Sequence, residues 1–217
     1  MKMNKSVKIA SRMGQNGTPS KVRTDKRKAK IKHLSKSEVR NLFRVIPKAR
    51  LRDRVLFHLI YRYALRRTEA CLIQLADFDF KADVFEVHRL KGGDSHAYPL
   101  FPDTKRLVKK YLDQPRRHWT RHLFPSRQRL GQPISASLVA HLFREYAKKA
   151  GIPPDRHNVH ALRHSIAMHM GEGELDGVDM QDWMGHVAFA STRIYMHVSA
   201  KRRLKTSKKM IASGEIA

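Results

Sequence analysis

Between residues 77 and 100 the hydrophobic pattern changes its period. On either side, apolar residues recur three and four positions apart. Within this window they alternate, in "DFDF" (77–80), "DVFEVHRL" (83–90) and "AYPL" (97–100), and they are largely β-branched or aromatic. A period of two places successive side chains on opposite faces of a strand, whereas a period near 3.6 belongs to a helix. The glycines of "KGGDS" (91–95) fall between the last two stretches, where a hairpin must turn. The pattern predicts one small antiparallel sheet inserted early in a chain that is otherwise helical.

The helical segments announce their own ends. In "LSKSEVRNLF" (34–43), Ser35 followed by Glu38 is a capping box, and Leu34, Leu42, Phe43 and Ile46 then fall at helical spacing. A second helix is expected near 51–64, with Leu51, Val55, Leu56, Leu59 and Tyr63 on one face. Thr68 is placed to cap a short third helix through "EACLIQL". Further helices are predicted over 103–112 after Asp103, 135–149 after Ser135, 160–171 and 174–184, with a short one around Thr192–Val198. No internal repeat interrupts the series. The expected class is mainly α with a small antiparallel β-sheet (α+β), in one domain over residues 34–199.

Charge limits what that domain can work on. In 217 residues, 45 Lys and Arg stand against 19 Asp and Glu, a formal net charge of +26. Such self-repulsion makes sense when the partner is a polyanion, and nucleic acid is the first candidate. An anionic membrane is the weaker one: apolar runs such as "VLFHLIY" (55–61) fall far short of the roughly 18 residues a spanning helix needs. Residues 1–33 read as a flexible basic arm, with Lys21, Arg23, Lys26, Arg27, Lys28, Lys30 and Lys32 as phosphate contacts. Residues 200–217 form a second basic tail, with Leu204, Met210, Ile211 and Ile216 available to dock on another protomer. The N-terminus lacks the apolar core of a signal peptide, and a single cysteine, Cys71, allows neither an internal disulfide nor a cysteine-based zinc site. A reducing cytoplasm, on the nucleoid, is the expected location.

Four stretches carry potential chemistry. "YALRRTE" (63–69) sets Arg66 and Arg67 side by side at a helix junction, and "HRLKGGDSHAYPL" (88–100) puts Lys91 at the lip of the hairpin. "HNVHALRHS" (157–165) places His160 and Arg163 three apart at a helix start, on one face that favours an anion. "MGHVAFASTRIYMHV" (184–198) holds Tyr195 nine positions after His186. Taken singly these are surface arginines, a turn lysine and a core tyrosine. His160 and His164 also have the i,i+4 spacing of metal ligands, but the zincin pattern requires Glu directly after the first His, and Ala161 stands there. Ser165 lacks a carboxylate to orient any base. Together, however, two arginines, two histidines, a lysine and a tyrosine match one task. Metal-free cleavage of a phosphodiester needs fixed cations on the non-bridging oxygens, a nucleophile, and a proton for the leaving alkoxide. Arginine supplies the rigid cationic fork, histidine moves protons near neutrality, and tyrosine can form a covalent ester.

These four blocks, in this order and spacing, resemble the tyrosine recombinases, also called phage integrases, over roughly residues 33–200. "ALRRTE" is similar to the family's first arginine box, "HALRHS" to its His-x-x-Arg box, and "MGHVAFASTRIYMHV" to its Gly-His box and nucleophile segment. The resemblance implies the recombinase catalytic-domain fold and a catalytic set of Arg66, Lys91, His160, Arg163, His186 and Tyr195, with Tyr195 as nucleophile and neither metal nor other cofactor. It implies double-stranded DNA as substrate, a homo-tetramer on two recombination sites, and accessory DNA-bending proteins. Ala64 stands where the family usually has Gly, and Met184 where it usually has Leu. The layout is most similar to the compact recombinases that switch fimbrial phase. A type IB topoisomerase would use the same residues without site choice. A non-catalytic binder would have no use for a tyrosine nine residues after Gly-His, and an inactive relative would not fill every catalytic position.

Overall fold

The computed structural model describes residues 31–90, 95–115, 120–173, 175–185, 192, 208 and 210–213. Among them, helices α1 (Lys36–Val45), α2 (Leu51–Arg62) and α3 (Arg67–Leu72) precede strands β1 (Phe78–Asp79), β2 (Val84–Val87) and β3 (His96–Pro99). Helices α4 (Pro102–Leu112), α5 (Ala136–Lys149), α6 (Val159–Glu172) and α7 (Gly177–Met184) follow. The expected mainly helical fold with one inserted antiparallel sheet is the observed one. The strands pair in the order β1-β2-β3, with Phe78 opposite Phe85 and Val84 opposite Pro99.

Helix α2 is the hub because its buried apolar residues are spread around much of its circumference. Leu51, Val55, Leu56, Phe57, Leu59 and Ile60 are all buried, so α3, α4 and α6 can pack against it from different sides. Each such side chain contributes about 1.5–3 kcal/mol when fully buried. Phe57 meets Phe143 of α5 at 5.7 Å, and Tyr63, just past the end of α2, meets Phe85 of the sheet at 4.9 Å. Trp183 of α7 completes this aromatic seam against Tyr98 of β3, with ring centroids 5.1 Å apart. The seam locks the sheet to the helices beside the turn that carries Arg66.

The element ends differ from expectation in places, for local reasons. The Ser35 capping box forms as predicted, with Ser35 Oγ accepting from the Glu38 N–H and the Glu38 carboxylate accepting from the Ser35 N–H. Thr68 does not cap α3: it lies inside the helix, which begins at Arg67 because Glu69 takes the Arg66 N–H. Helix α7 starts at Gly177 rather than 174, where the side chain of Asp176 accepts from the Val178 N–H. Of the predicted short helix over 192–198, only Thr192 is among the described residues. Among the described residues no helix is long and apolar enough to cross a membrane.

Candidate active site

The site grows from the way α2 ends. The Leu65 N–H donates to Ile60 O and the Ala64 N–H to Tyr61 O, the paired bonds that close a helix when the residue past its cap turns left-handed. Ala64 is that residue, at φ 49°. Such a turn usually calls for Gly, since a Cβ there crowds the backbone. The turn aims the Ala64 carbonyl at two guanidiniums, accepting from Arg89 Nη1 at 3.2 Å and from Arg163 Nη1. Arg66 follows in extended backbone, and α3 begins directly after it.

Glu69, in the first turn of α3, gathers the cations. It is 4% exposed. One carboxylate oxygen accepts from Arg66 Nη1 at 2.6 Å and from the Leu90 N–H at 3.3 Å. The other accepts from the Arg66 N–H at 2.7 Å and from Arg89 Nη1 at 3.1 Å. Arg163 Nη1 lies 4.0 Å from that second oxygen. Burial alone pushes the Glu69 pKa up, but the bonds from Arg66 and the charges of Arg89 and Arg66 hold it below the ordinary carboxylate value. Three guanidiniums against one ionised carboxylate leave the cluster with a net charge of +2. The surplus opens to solvent at Arg66, whose side chain is 27% exposed, and is suited to an anion.

Helix α6 delivers the remaining groups. Asn158 caps it by accepting from the His160 N–H, and the i,i+3 spacing then sets His160 and Arg163 on one face, from which Arg163 comes within 4.0 Å of Glu69. Arg163 is buried and donates from Nη2 to Met184 O at 2.7 Å, tying α6 to the end of α7. His160 stays at the surface. Desolvation by its surroundings, and then the charges of Arg163, Arg67 and Arg66, lower its pKa. Burial first, then the charges of His160, Arg163 and His33, push His164 down to about 4. Neighbours this cationic suit neutral imidazoles better than a bound cation.

Arg66, His160 and Arg163, which come from two distant parts of the sequence, therefore meet at one place. Lys91, His186 and Tyr195 lie outside the described residues, as do Lys21, Arg23, Lys26, Arg27, Lys28 and Lys30. Lys32 is described: its ammonium is 3.9 Å from Asp155, and both side chains are largely exposed. Two residues at the centre were not singled out from sequence as parts of a buried cluster. In the sequence Glu69 is only the last residue of "YALRRTE", and Arg89 only a neighbour of Lys91 in "HRLKGGDSHAYPL". Its signal was the strand alternation itself, because Phe85 and Val87 face the core and Arg89 continues that face.

Helix α7 ends at Gly185, in the left-handed conformation at φ 59°. A Cβ at this position would sit 2.7 Å from Arg89 Nε, so glycine is demanded twice, by the backbone and by the close approach.

The chain belongs to the phage integrase family, whose profile matches residues 32–202. It is 35% identical over 171 residues to tyrosine recombinase XerA of Pyrococcus furiosus, an alignment covering 78% of this chain and 58% of that protein. Across the Pyrococcus and Thermococcus XerA relatives the chain spans 58 to 62% of their length. The fold is similar to that of XerH site-specific recombinase bound to a palindromic difH substrate in a post-cleavage complex, with a TM-score of 0.67 at 22% identity. That match covers 82% of this chain and 53% of the other. It is also similar to the Tn1549 transposon integrase in complex with circular intermediate DNA, with a TM-score of 0.70 at 16% identity, over 82% and 66% of the two chains.

Proposed function

We propose that this chain is a site-specific DNA recombinase that cuts and rejoins strands through a covalent 3′-phosphotyrosine, with neither metal nor ATP. The observation that carries the reading is the Glu69-centred cluster, which brings Arg66, Arg163 and His160 together with a surplus of two positive charges. Family membership and the likeness to recombinases whose structures hold DNA support the same substrate.

In this reading the Tyr195 phenolic oxygen attacks the scissile phosphorus. The bond from phosphorus to the 5′-oxygen breaks as the bond to Tyr195 forms. Arg66 and Arg163, assisted by His186, neutralise the non-bridging oxygens, and losing one such preorganised group costs about 10²–10³ in rate. His160, whose pKa is lowered by burial and then by its cationic neighbours, takes up the phenolic proton, and Lys91 donates a proton to the departing 5′-oxygen. The ester retains the bond energy, so a second strand's 5′-hydroxyl reverses the attack. Four staged cleavages with one tyrosine per chain call for four protomers on two sites, with accessory DNA-bending proteins arranging them on the nucleoid. The basic arm, Lys21 to Lys32, adds affinity by releasing counterions from phosphates, at a slope of about 0.9 per contact in log affinity against log salt.

The test uses nicked duplexes cut from the DNA flanking the gene, run on a denaturing gel. Wild type should form a covalent adduct, and Tyr195→Phe should bind as well but form none. An adduct persisting in Tyr195→Phe would move the nucleophile elsewhere and sink the assignment. Relaxation of a supercoiled plasmid lacking the flanking sequence would replace the reading with a type IB topoisomerase.

A further inference from the structure

We propose that Arg89 is a positioning residue for strand cleavage: it shares the charge of Glu69 with Arg66, leaving Arg66 and Arg163 more of their own charge for the scissile phosphate. This inference rests on the recombinase reading above.

Arg89 does not reach the DNA itself. Its side chain is 0% exposed. Nη1 donates to Ala64 O and Glu69, and Nη2 to Tyr63 O at 3.1 Å, the Tyr98 hydroxyl at 2.8 Å and Trp183 O at 3.0 Å. The guanidinium lies over the Tyr98 ring, and Nε is covered from the Gly185 side. Nε is also buried without a hydrogen-bond partner, an expensive arrangement for a cation's donor. A guanidinium buried this deeply, with both terminal nitrogens bonded inside the protein, is held by the fold and does not act as a surface contact. It stitches the segment just after β2 to the turn after α2 and to the Trp183 carbonyl of α7, the three segments that lead into Lys91, Arg66 and His186 in sequence.

The electrostatic consequence follows from counting. Without Arg89, Glu69 would draw its whole countercharge from Arg66 and Arg163, and the cluster would keep one positive charge instead of two. Arg89 thereby sets how strongly the other two arginines can stabilise the charge that grows on the phosphoryl oxygens. In a dry site that charge is worth far more than in water.

The test compares Arg89→Met, which keeps length without charge, and Arg89→Lys, which keeps charge without the fork. Each is assayed in single turnover on pre-bound nicked duplexes carrying either a phosphodiester or a methylphosphonate at the scissile position. The methylphosphonate replaces one charged non-bridging oxygen with methyl, so it needs less cationic help. Wild-type adduct on the phosphodiester, absent in Tyr195→Phe, settles the parent reading first and separately. On the phosphodiester, Arg89→Met should cleave about 10- to 100-fold more slowly, less than the loss expected for a group that touches the phosphate. That deficit should shrink several-fold on the methylphosphonate, and Arg89→Lys should recover part of the phosphodiester rate. Equal deficits on both substrates would overturn the proposal and leave Arg89 as packing alone. If Arg89→Met fails to fold, Arg89→Lys decides by its ratio between the two substrates: a ratio shifted toward the methylphosphonate supports the proposal, and one matching wild type overturns it.

Discussion

Asp53 and Glu69 are both buried carboxylates, 1% and 4% exposed, and they flank the two ends of α2. Asp53 sits in the first turn, where the helix dipole favours an anion. It accepts from Arg52 Nε at 2.7 Å and from the Tyr146 hydroxyl at 2.7 Å. Burial, and then the bond to Asp53, push the Tyr146 phenol up to about 12, so it remains a donor across the working range of pH. One acid and one guanidinium cancel, and the result is a neutral tie between α2 and α5. At the other end Glu69 holds Arg66 and Arg89 directly and has Arg163 within 4.0 Å. The device is the same, but the number of cations differs. A balanced buried pair only fixes geometry; an over-supplied one also leaves charge for a partner.

Removing the acid at each end should expose that difference. Glu69→Gln is expected to have the larger effect, because three guanidiniums lose the charge that gathers them. Breaking a buried pair by removing one partner costs about 3–5 kcal/mol, and thermal unfolding should show a loss of that order. Cleavage by the remaining folded protein should fall as well, since Arg66 loses the anchor that fixes its fork. Asp53→Asn should cost less, about 1–3 kcal/mol, because Tyr146 can still donate to the amide oxygen. Its cleavage rate per folded molecule on a nicked duplex should match wild type. If Asp53→Asn slowed cleavage as much as Glu69→Gln, the two ends would not differ in kind.

The sequence was most readable where local chemistry decides structure. The capping box at Ser35 and Glu38, the cap at Ser135 and the alternation through Phe85 and Val87 each depend on neighbours a few residues away. The start of α3 was misplaced because two signals competed: Thr68 is a good cap by type, but Glu69 reaching back to the Arg66 N–H moved the start forward. Arg66, His160 and Arg163 could be picked out as chemically apt residues in an ordered set of boxes. What held them together could not. The partners of Arg89 span positions 63 to 183, and no periodicity links residues that far apart. A buried arginine is chosen by the tertiary fold around it, so only the alternation that leads out of β2 to Arg89 is legible.

The smallest expected effect belongs to Ala64, the residue at the hinge of the charged end. Its left-handed backbone costs roughly 1–2 kcal/mol for a residue with a Cβ. Ala64→Gly removes that strain but returns conformational freedom to the unfolded chain, an offset of about 0.4–1 kcal/mol. It also deletes a methyl that is fully buried among Ala167, Met170, Met180 and Met184, worth about 0.8 kcal/mol. The terms nearly cancel, so the change in stability should stay within about 1 kcal/mol of zero. This cancellation also explains how alanine can occupy a position where the family it resembles usually has glycine: the methyl packs with buried residues of α6 and α7. The Ala64 carbonyl, which accepts from Arg89 and Arg163, is common to both residues, so cleavage should fall far less than in Glu69→Gln. Chemical denaturation of the two proteins side by side measures the first expectation, and single-turnover cleavage the second. A loss above about 2 kcal/mol would mean that the methyl, rather than the turn, is what the fold uses at this position.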